Sequence, residues 1–352
     1  MSKSPKIIYL LIILMIFSLI NNYSARFILS IYNNYLVKQL IWFLFGFMII
    51  YFLSKINLNF IFKHSFILYI LINIVLIYTL FFGSTVNGST SWIKIGSFSI
   101  QPSEFTKVIL IIYLYYFSIK NKDISNLKYA LITFIIVLIP SIITFLEPDT
   151  GAVIFYMVIY LGFLLTRDIK KRWYILFIII TLALGISFLT LYFYYSEAFI
   201  KIFGTNFFYR MDRITNFLSG EGFQINRAIN SIGASGFFGR GLGNVLEYFP
   251  EAPTDFAFAL LVSNIGFIGI IIFLFIYSSF IFFILKKIKL NKVLITPIAL
   301  LLVIQFGINI LINIGYFPVI GMTLPFISYG GSNLISYFIL ISLVLNVRKI
   351  KY

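Results

Sequence analysis

The sequence predicts an all-α integral membrane protein of about ten transmembrane helices, with both termini cytoplasmic. Three observations carry that reading. The 352 residues are 61% hydrophobic and only 11% charged, with a mean hydropathy of +1.02, against roughly 25% charged residues in a soluble domain. The apolar residues gather into stretches long enough to cross a hydrocarbon core, which takes about 20 residues. The basic residues alternate between the two sides of those stretches, as an orientation signal does.

In order, the spans fall near 7–22, 39–54, 65–82, 105–119, 130–146, 151–166, 173–194, 255–285, 292–314 and 333–348. The first follows Lys3 and Lys6 and resembles a signal peptide. No A-x-A cleavage site follows it, so it reads as a membrane span. The stretch from Asp255 to Leu285 is about 46 Å long at 1.5 Å per residue, so it tilts, protrudes or breaks near Gly266 and Gly269. With the N-terminus inside, eighteen of the 27 basic residues lie in the cytoplasmic loops and tails, whereas the short outer loops show Arg26, Lys38 and Lys94. The charge of +16 is therefore an orientation signal and makes no case for nucleic acid. Of the acidic residues, only Asp123 and Asp168 fall inside; the other nine lie at the outer face. The working face is extracytoplasmic.

The chain reads as one polytopic domain over 1–352, with two long outer loops, about 83–104 and 195–254, the larger between spans seven and eight. Loops of sixty residues are usually functional or folded. Within the larger, Ala198 to Phe217 mixes aromatics with Lys201, Arg210 and Arg213 and reads as an amphipathic helix, lying on the membrane or packed on the bundle. With no cysteine, disulfides, thiolate metal sites and cysteine nucleophiles are excluded. The one histidine, His64, sits beside Lys63 at a helix boundary and reads as a solvated loop residue, which removes Ser-His-Asp chemistry.

Four clusters can carry chemistry. In Gln101-Pro102-Ser103-Glu104-Phe105-Thr106-Lys107, proline suits the first helical position and places Glu104 near N3, with Lys107 at i+3. The pair is either a cap with its neutralising partner or the wall of a wet cavity. Glu147-Pro148-Asp149-Thr150-Gly151 is a tight connection whose carboxylates suit a turn better than a divalent cation site. In Pro250 to Phe256, Thr254 is the expected N-cap and Asp255 a first-turn acid, a general-base candidate at the membrane mouth. Pro318 to Ser332, with two prolines, three glycines and several hydroxyls, cannot form a regular helix. It reads as a broken or re-entrant segment buried in protein.

Taken with Trp92-Ile93-Lys94-Ile95-Gly96 and Ser231-Ile232-Gly233-Ala234-Ser235-Gly236 running into Gly239-Arg240-Gly241-Leu242-Gly243, these runs resemble the SEDS family (shape, elongation, division and sporulation), typified by FtsW, RodA and SpoVE. The matching motifs keep family order from about residue 85 to 335. The resemblance implies a SEDS-type bundle and an inverting peptidoglycan glycosyltransferase. Such an enzyme polymerises lipid II at the outer face of the bacterial cytoplasmic membrane and releases undecaprenyl diphosphate. Asp255 matches the family's essential aspartate. Glu104, Lys107, Arg210, Arg213, Arg240 and Ser328 are implied near the substrate, and a divalent cation, Mg or Mn, is implied with Asp149 and Glu147 as candidate ligands. The implied protein partners are a class B penicillin-binding transpeptidase and divisome or elongasome proteins. Pro250-Glu251-Ala252 and Gly321-Met322-Thr323 lean toward the FtsW and SpoVE side. The sequence departs from the family pattern at Ser91, Glu147, Phe223, Pro253 and Ser263-Asn264. A lipid flippase and a non-catalytic scaffold are the rival readings.

Overall fold

The computed structural model describes residues 5–350 apart from 87–88, 97, 205–214, 216, 221, 245–247 and 249, with only the backbone described over parts of 171–184. A helix lies at each of the ten expected stretches: α1 (Pro5–Ala25), α2 (Tyr35–Lys55), α4 (Ser65–Phe82), α5 (Pro102–Lys120), α6 (Asn126–Leu146), α7 (Thr150–Leu164), α8 (Lys171–Tyr194), α11 (Ala257–Leu285), α12 (Lys292–Asn313) and α13 (Gly331–Leu345). Six of the described helical stretches are long and apolar enough to cross a membrane. Short helices add to them: α3 (Leu58–Lys63), α9 (Ser196–Phe203) and α10 (Phe223–Gly233).

Small residues let the long helices approach closely, as in membrane bundles generally. A Cβ on Gly46 of α2 would lie 2.3 Å from Phe338 of α13, and one on Gly162 of α7 would lie 2.6 Å from Pro297 of α12. His64 lies at the junction of α3 and α4, the expected helix boundary, partly exposed and with Nδ1 2.9 Å from Phe60 O.

At one end of the bundle basic side chains bond to the connections between helices. There Arg167 donates to the carbonyls of Asn121 and Lys122, and Lys349 donates to Ser54 O. The other end gathers the loops. Ser89 donates to Glu147 O, Gln101 Nε2 donates to Asp149 Oδ2, and Ser332 Oγ accepts from Gln101 N.

The connection between α4 and α5 holds a three-stranded antiparallel sheet that the sequence reading passed over: β1 (Ser84–Val86), β2 (Ser89–Ile95) and β3 (Phe98–Ile100), in that order. Lys94 pairs with Ser99, and Gly96 takes the left-handed turn at φ 61°. The expected amphipathic helix over Ala198–Phe217 is not continuous. α9 ends at Gly204 (φ 85°) and packs buried Phe199 against Tyr192 and Phe188 of α8. Residues 205–214 lie outside the described set.

The long helix α11 breaks where its glycines suggested, at Gly266 (φ 67°, ψ −172°), while Gly269 stays helical. The loop after α10 fills the break. Arg240 N and Gly241 N donate to Ser263 O and Asn264 O at 2.8 and 3.2 Å. Gly236 O and Phe237 O accept from Phe267 N and Ile268 N at 3.0 and 3.1 Å. Each side of the break is thereby satisfied, as backbone at membrane depth requires. Gly239 and Gly266 meet face to face: a Cβ on Gly266 would lie 2.1 Å from Gly239 N.

Candidate active site

Asp255 is half-buried and lies in a run of turns at 251–256, just before α11. Thr254 is therefore not the N-cap. That position is Phe256, whose side chain cannot cap, and Asp255 precedes it. The turn is held from several directions. Glu251, at φ 55°, accepts at its carbonyl from Thr254 N and Phe256 N, and its carboxylate accepts from the Thr254 hydroxyl. Asn309 and Asn313, on the last turns of α12, both donate to Asp255 O at 2.9 and 3.0 Å.

The expected broken segment is real: residues 314–330 are non-helical, with Met322, Leu324 and Ile327 fully buried. Side chains replace its missing helix bonds. Gln305 donates to Thr323 O, Asn309 to Met322 O, Ser18 to Ile327 O and Gln39 to Ser328 O. Phe326 holds φ 66°, a conformation costly for a bulky residue, inside a cage that includes Phe280, Tyr337 and Phe338. Ser328 was expected beside substrate. It is buried instead, and its hydroxyl donates to Thr254 O and accepts from Leu324 N. It braces the Asp255 turn, since its one proton and one of its lone pairs are engaged within the protein.

Glu104 and Lys107 form the expected i,i+3 pair, 2.7 Å apart, with Glu104 at N3 of α5. The pair faces inward. Lys107 is fully buried, with its ammonium over the Phe155 and Tyr337 rings at 5.0 and 5.2 Å. Glu104 also accepts from Asn333 and Ser336 of α13. This is a neutralised strut joining α5 to α13, and it offers substrate no free charge. Arg240, at the α11 break, is exposed, its Nη1 3.5 Å from Ala234 O. Arg210 and Arg213 lie outside the described residues.

Asp149 caps α7. Its Oδ1 accepts from Ala152 N at 3.2 Å, and its Oδ2 accepts from Gln101 Nε2 at 2.8 Å and Ser103 Oγ at 2.7 Å. Burial raises its carboxyl above the ordinary value, and those donors pull it back. Glu147 is fully buried, and neither carboxyl oxygen has a hydrogen-bond partner. Burial, with Asp149 adding to it, pushes its carboxyl up to about 8. A divalent cation needs six or more oxygens in reach, several from water or carboxylate. Among the described residues no three acidic or imidazole groups converge, Asp149 already accepts three protein donors, and Glu147 is fully buried. These two residues do not fit a metal centre; they are a helix cap and a buried acid.

An apolar groove of about 450 Å³ runs along the first half of α5 and reaches the Lys55 end of α2, where Phe52, Leu53 and Ile61 line it. It is lined by Phe45 and Met48 of α2, Leu68 of α4, Phe105 and Ile109 of α5, and Ile339 of α13, among others. Gln39, which holds Ser328, lies six residues before Phe45 on α2, about 9 Å along the helix.

The family described as cell cycle protein, FtsW/RodA/SpoVE, matches residues 5–352. The chain belongs to this family. It is 33% identical to the probable peptidoglycan glycosyltransferase FtsW of Wigglesworthia glossinidia brevipalpis, over 96% of this chain and 91% of that one. It is 34% identical to the stage V sporulation protein E of Bacillus subtilis (strain 168), over 76% and 73% of the two chains. The fold matches a chain in a solved structure of a peptidoglycan synthase complex coordinating polymerization and crosslinking. The TM-score is 0.81 at 20% identity, with 99% of each chain covered.

Sequence reasoning missed the asparagines of α12. Their signal was present: two amides one helical turn apart at the end of an apolar span, where lipid would penalise them and a buried partner would not.

Proposed function

We propose that this FtsW-family chain is a peptidoglycan glycosyltransferase that polymerises lipid II into glycan strands. The observation that carries the reading is the placement of Asp255. It is a half-buried carboxylate on a clamped turn, at the N-terminal mouth of an apolar helix and at the end of the bundle where the loops gather.

In this reading the Asp255 carboxylate takes the proton from the acceptor sugar's 4-hydroxyl. The freed oxygen attacks the donor's anomeric carbon with inversion. The bond from that carbon to the diphosphate oxygen breaks, and undecaprenyl diphosphate leaves with the electron pair. General-base assistance of this kind contributes about 10²–10⁴-fold. Arg240 is the described cation suited to the leaving phosphates, with Arg210 and Arg213 as further candidates. A divalent cation at the diphosphate, Mg or Mn, would be held by phosphate oxygens and water rather than by Glu147 and Asp149. The apolar groove between α2, α4, α5 and α13 suits the prenyl tail, which stays in lipid while the sugars reach water.

The same reading gives ten spans with both ends inside, so that the Asp255 end faces outward from the bacterial cytoplasmic membrane. Lys122, Arg167 and Lys349 sit at the opposite end, as the positive-inside pattern demands. A class B penicillin-binding transpeptidase is the proposed partner within a divisome or elongasome. The likeness to a chain of a synthase complex supports it, and the FtsW and SpoVE relatives favour division or sporulation over elongation. The deciding experiment is lipid II polymerisation by purified protein carrying Asp255→Asn. Loss of product with lipid II binding retained supports the enzyme; polymerisation at the parent rate rejects Asp255 as the base.

A further inference from the structure

The backbone carbonyl of Asp255 is held by two side chains of α12. Asn309 and Asn313 are fully buried on its outermost turns. Asn309 Nδ2 donates to Asp255 O at 2.9 Å and to Met322 O at 2.7 Å, using both of its protons. Asn313 Nδ2 donates to Asp255 O at 3.0 Å and to Asn309 O at 2.8 Å, while its Oδ1 accepts from Ala259 N at 2.8 Å.

That last bond is informative. Ala259 is the third residue of α11, and its amide is one of those that a helix leaves without an internal partner. Ordinarily the N-cap side chain serves it, but here that residue is Phe256. Asn313 caps α11 from another helix. The chemistry also fixes which way each amide points. Ala259 N can only donate and the Asp255 carbonyl can only accept, so turning the Asn313 amide over would set like against like at both ends.

One asparagine thus grips the residue before the helix and the helix itself, and the other ties the same carbonyl to the broken segment at Met322. With both proton acceptor sites of Asp255 O engaged, the peptide plane that follows Asp255 cannot rotate without stripping two buried donors. We propose that Asn309 and Asn313 are positioning residues for the Asp255 carboxylate, a clamp that holds the base at the reacting distance. This rests on the reading of Asp255 as the base. Displacing a catalytic group by about 1 Å can cost 10²-fold in rate, so the clamp acts on turnover rather than on substrate affinity.

The test uses full-length protein in lipid nanodiscs with lipid II as substrate and the Asp255→Asn variant alongside. Asn309→Leu removes two donors but leaves the Ala259 cap untouched. Asn313→Asp keeps an oxygen for Ala259 N and removes the donor to Asp255 O. Asn309→Leu is expected to melt within a few degrees of the parent and Asn313→Asp lower, because its second oxygen meets the Asp255 and Asn309 carbonyls; assayed well below both melting temperatures, each keeps KM for lipid II within about threefold while kcat falls roughly 10–100-fold. A purely structural role predicts the opposite pattern: Asn313→Asp would turn over normally because the cap survives, and any loss in Asn309→Leu would track its melting temperature. Normal kcat in both variants with Asp255→Asn inactive overturns the clamp and leaves the base in place. An active Asp255→Asn protein removes the base and the clamp with it.

Discussion

Replacing Glu147 by glutamine should change how stability depends on pH, and the structure gives the size and the sign. The side chain is fully buried with no partner for either carboxyl oxygen, and burial holds its carboxyl near 8 against an ordinary value of 4.5. Between those two values the unfolded chain has released a proton that the folded chain retains, so folding stability falls as pH rises. The slope is about 1.4 kcal/mol per pH unit. Over the window the loss reaches a ceiling of about 5 kcal/mol, which water entry and local relaxation reduce. Below 4.5 the contribution is fully present; above 8 it is gone. Glutamine has the same shape and does not titrate, so the variant should match the parent near pH 4.5 and exceed it increasingly up to pH 8. Thermal melting of detergent-solubilised parent and variant, read by tryptophan fluorescence from pH 4.5 to 9, measures this. Parallel melting curves across that range, or a parent that gains stability as pH rises, would refute a buried, proton-retaining Glu147.

Other substitutions probe the strut and the helix break. Lys107→Met strands Glu104 in the interior and should destabilise by roughly 3–5 kcal/mol, softened by Asn333 and Ser336; adding Glu104→Gln should restore most of the loss in the same melting assay. Gly266→Ala and Gly239→Ala each force a Cβ to within 2.4 Å of backbone across the break, at φ 67° and 79°, and should sharply lower the yield of folded protein in size-exclusion chromatography. Gly307→Ala, on α12 with open space around it, should instead raise stability by up to about 1 kcal/mol.

The helices were legible because hydropathy alone separates a membrane span from its surroundings, and Gly266 marked the break because a long span invites one. The i,i+3 spacing of Glu104 and Lys107 gave their pairing, but not that Phe155 and Tyr337 close over the ammonium. That depends on α7 and α13, which are distant in sequence. Likewise Thr254 looked like a cap because local rules favour it, whereas the actual acceptor comes from Asn313, 54 residues beyond the Ala259 amide that it serves. The sheet at 84–100 carried a strand signal in its alternating Ser89–Ile95 stretch, but it was hidden by the loop's polar composition. Ser328 lay in a motif that suggested substrate; only packing showed its hydroxyl already spent on Thr254 and Leu324.

The stitching of residues 236–241 into the gap of α11 has a consequence for how this part of the chain can vary. Its four bonds fall on consecutive backbone groups on either side of Gly266, roughly 13 Å below the start of the helix. Adding or deleting one residue there would shift every donor off its acceptor and strand polar groups in hydrocarbon, at several kcal/mol each. Length changes are therefore excluded from 236–241 itself, and a chimera that exchanges part of the large loop between relatives has to splice outside the stitch.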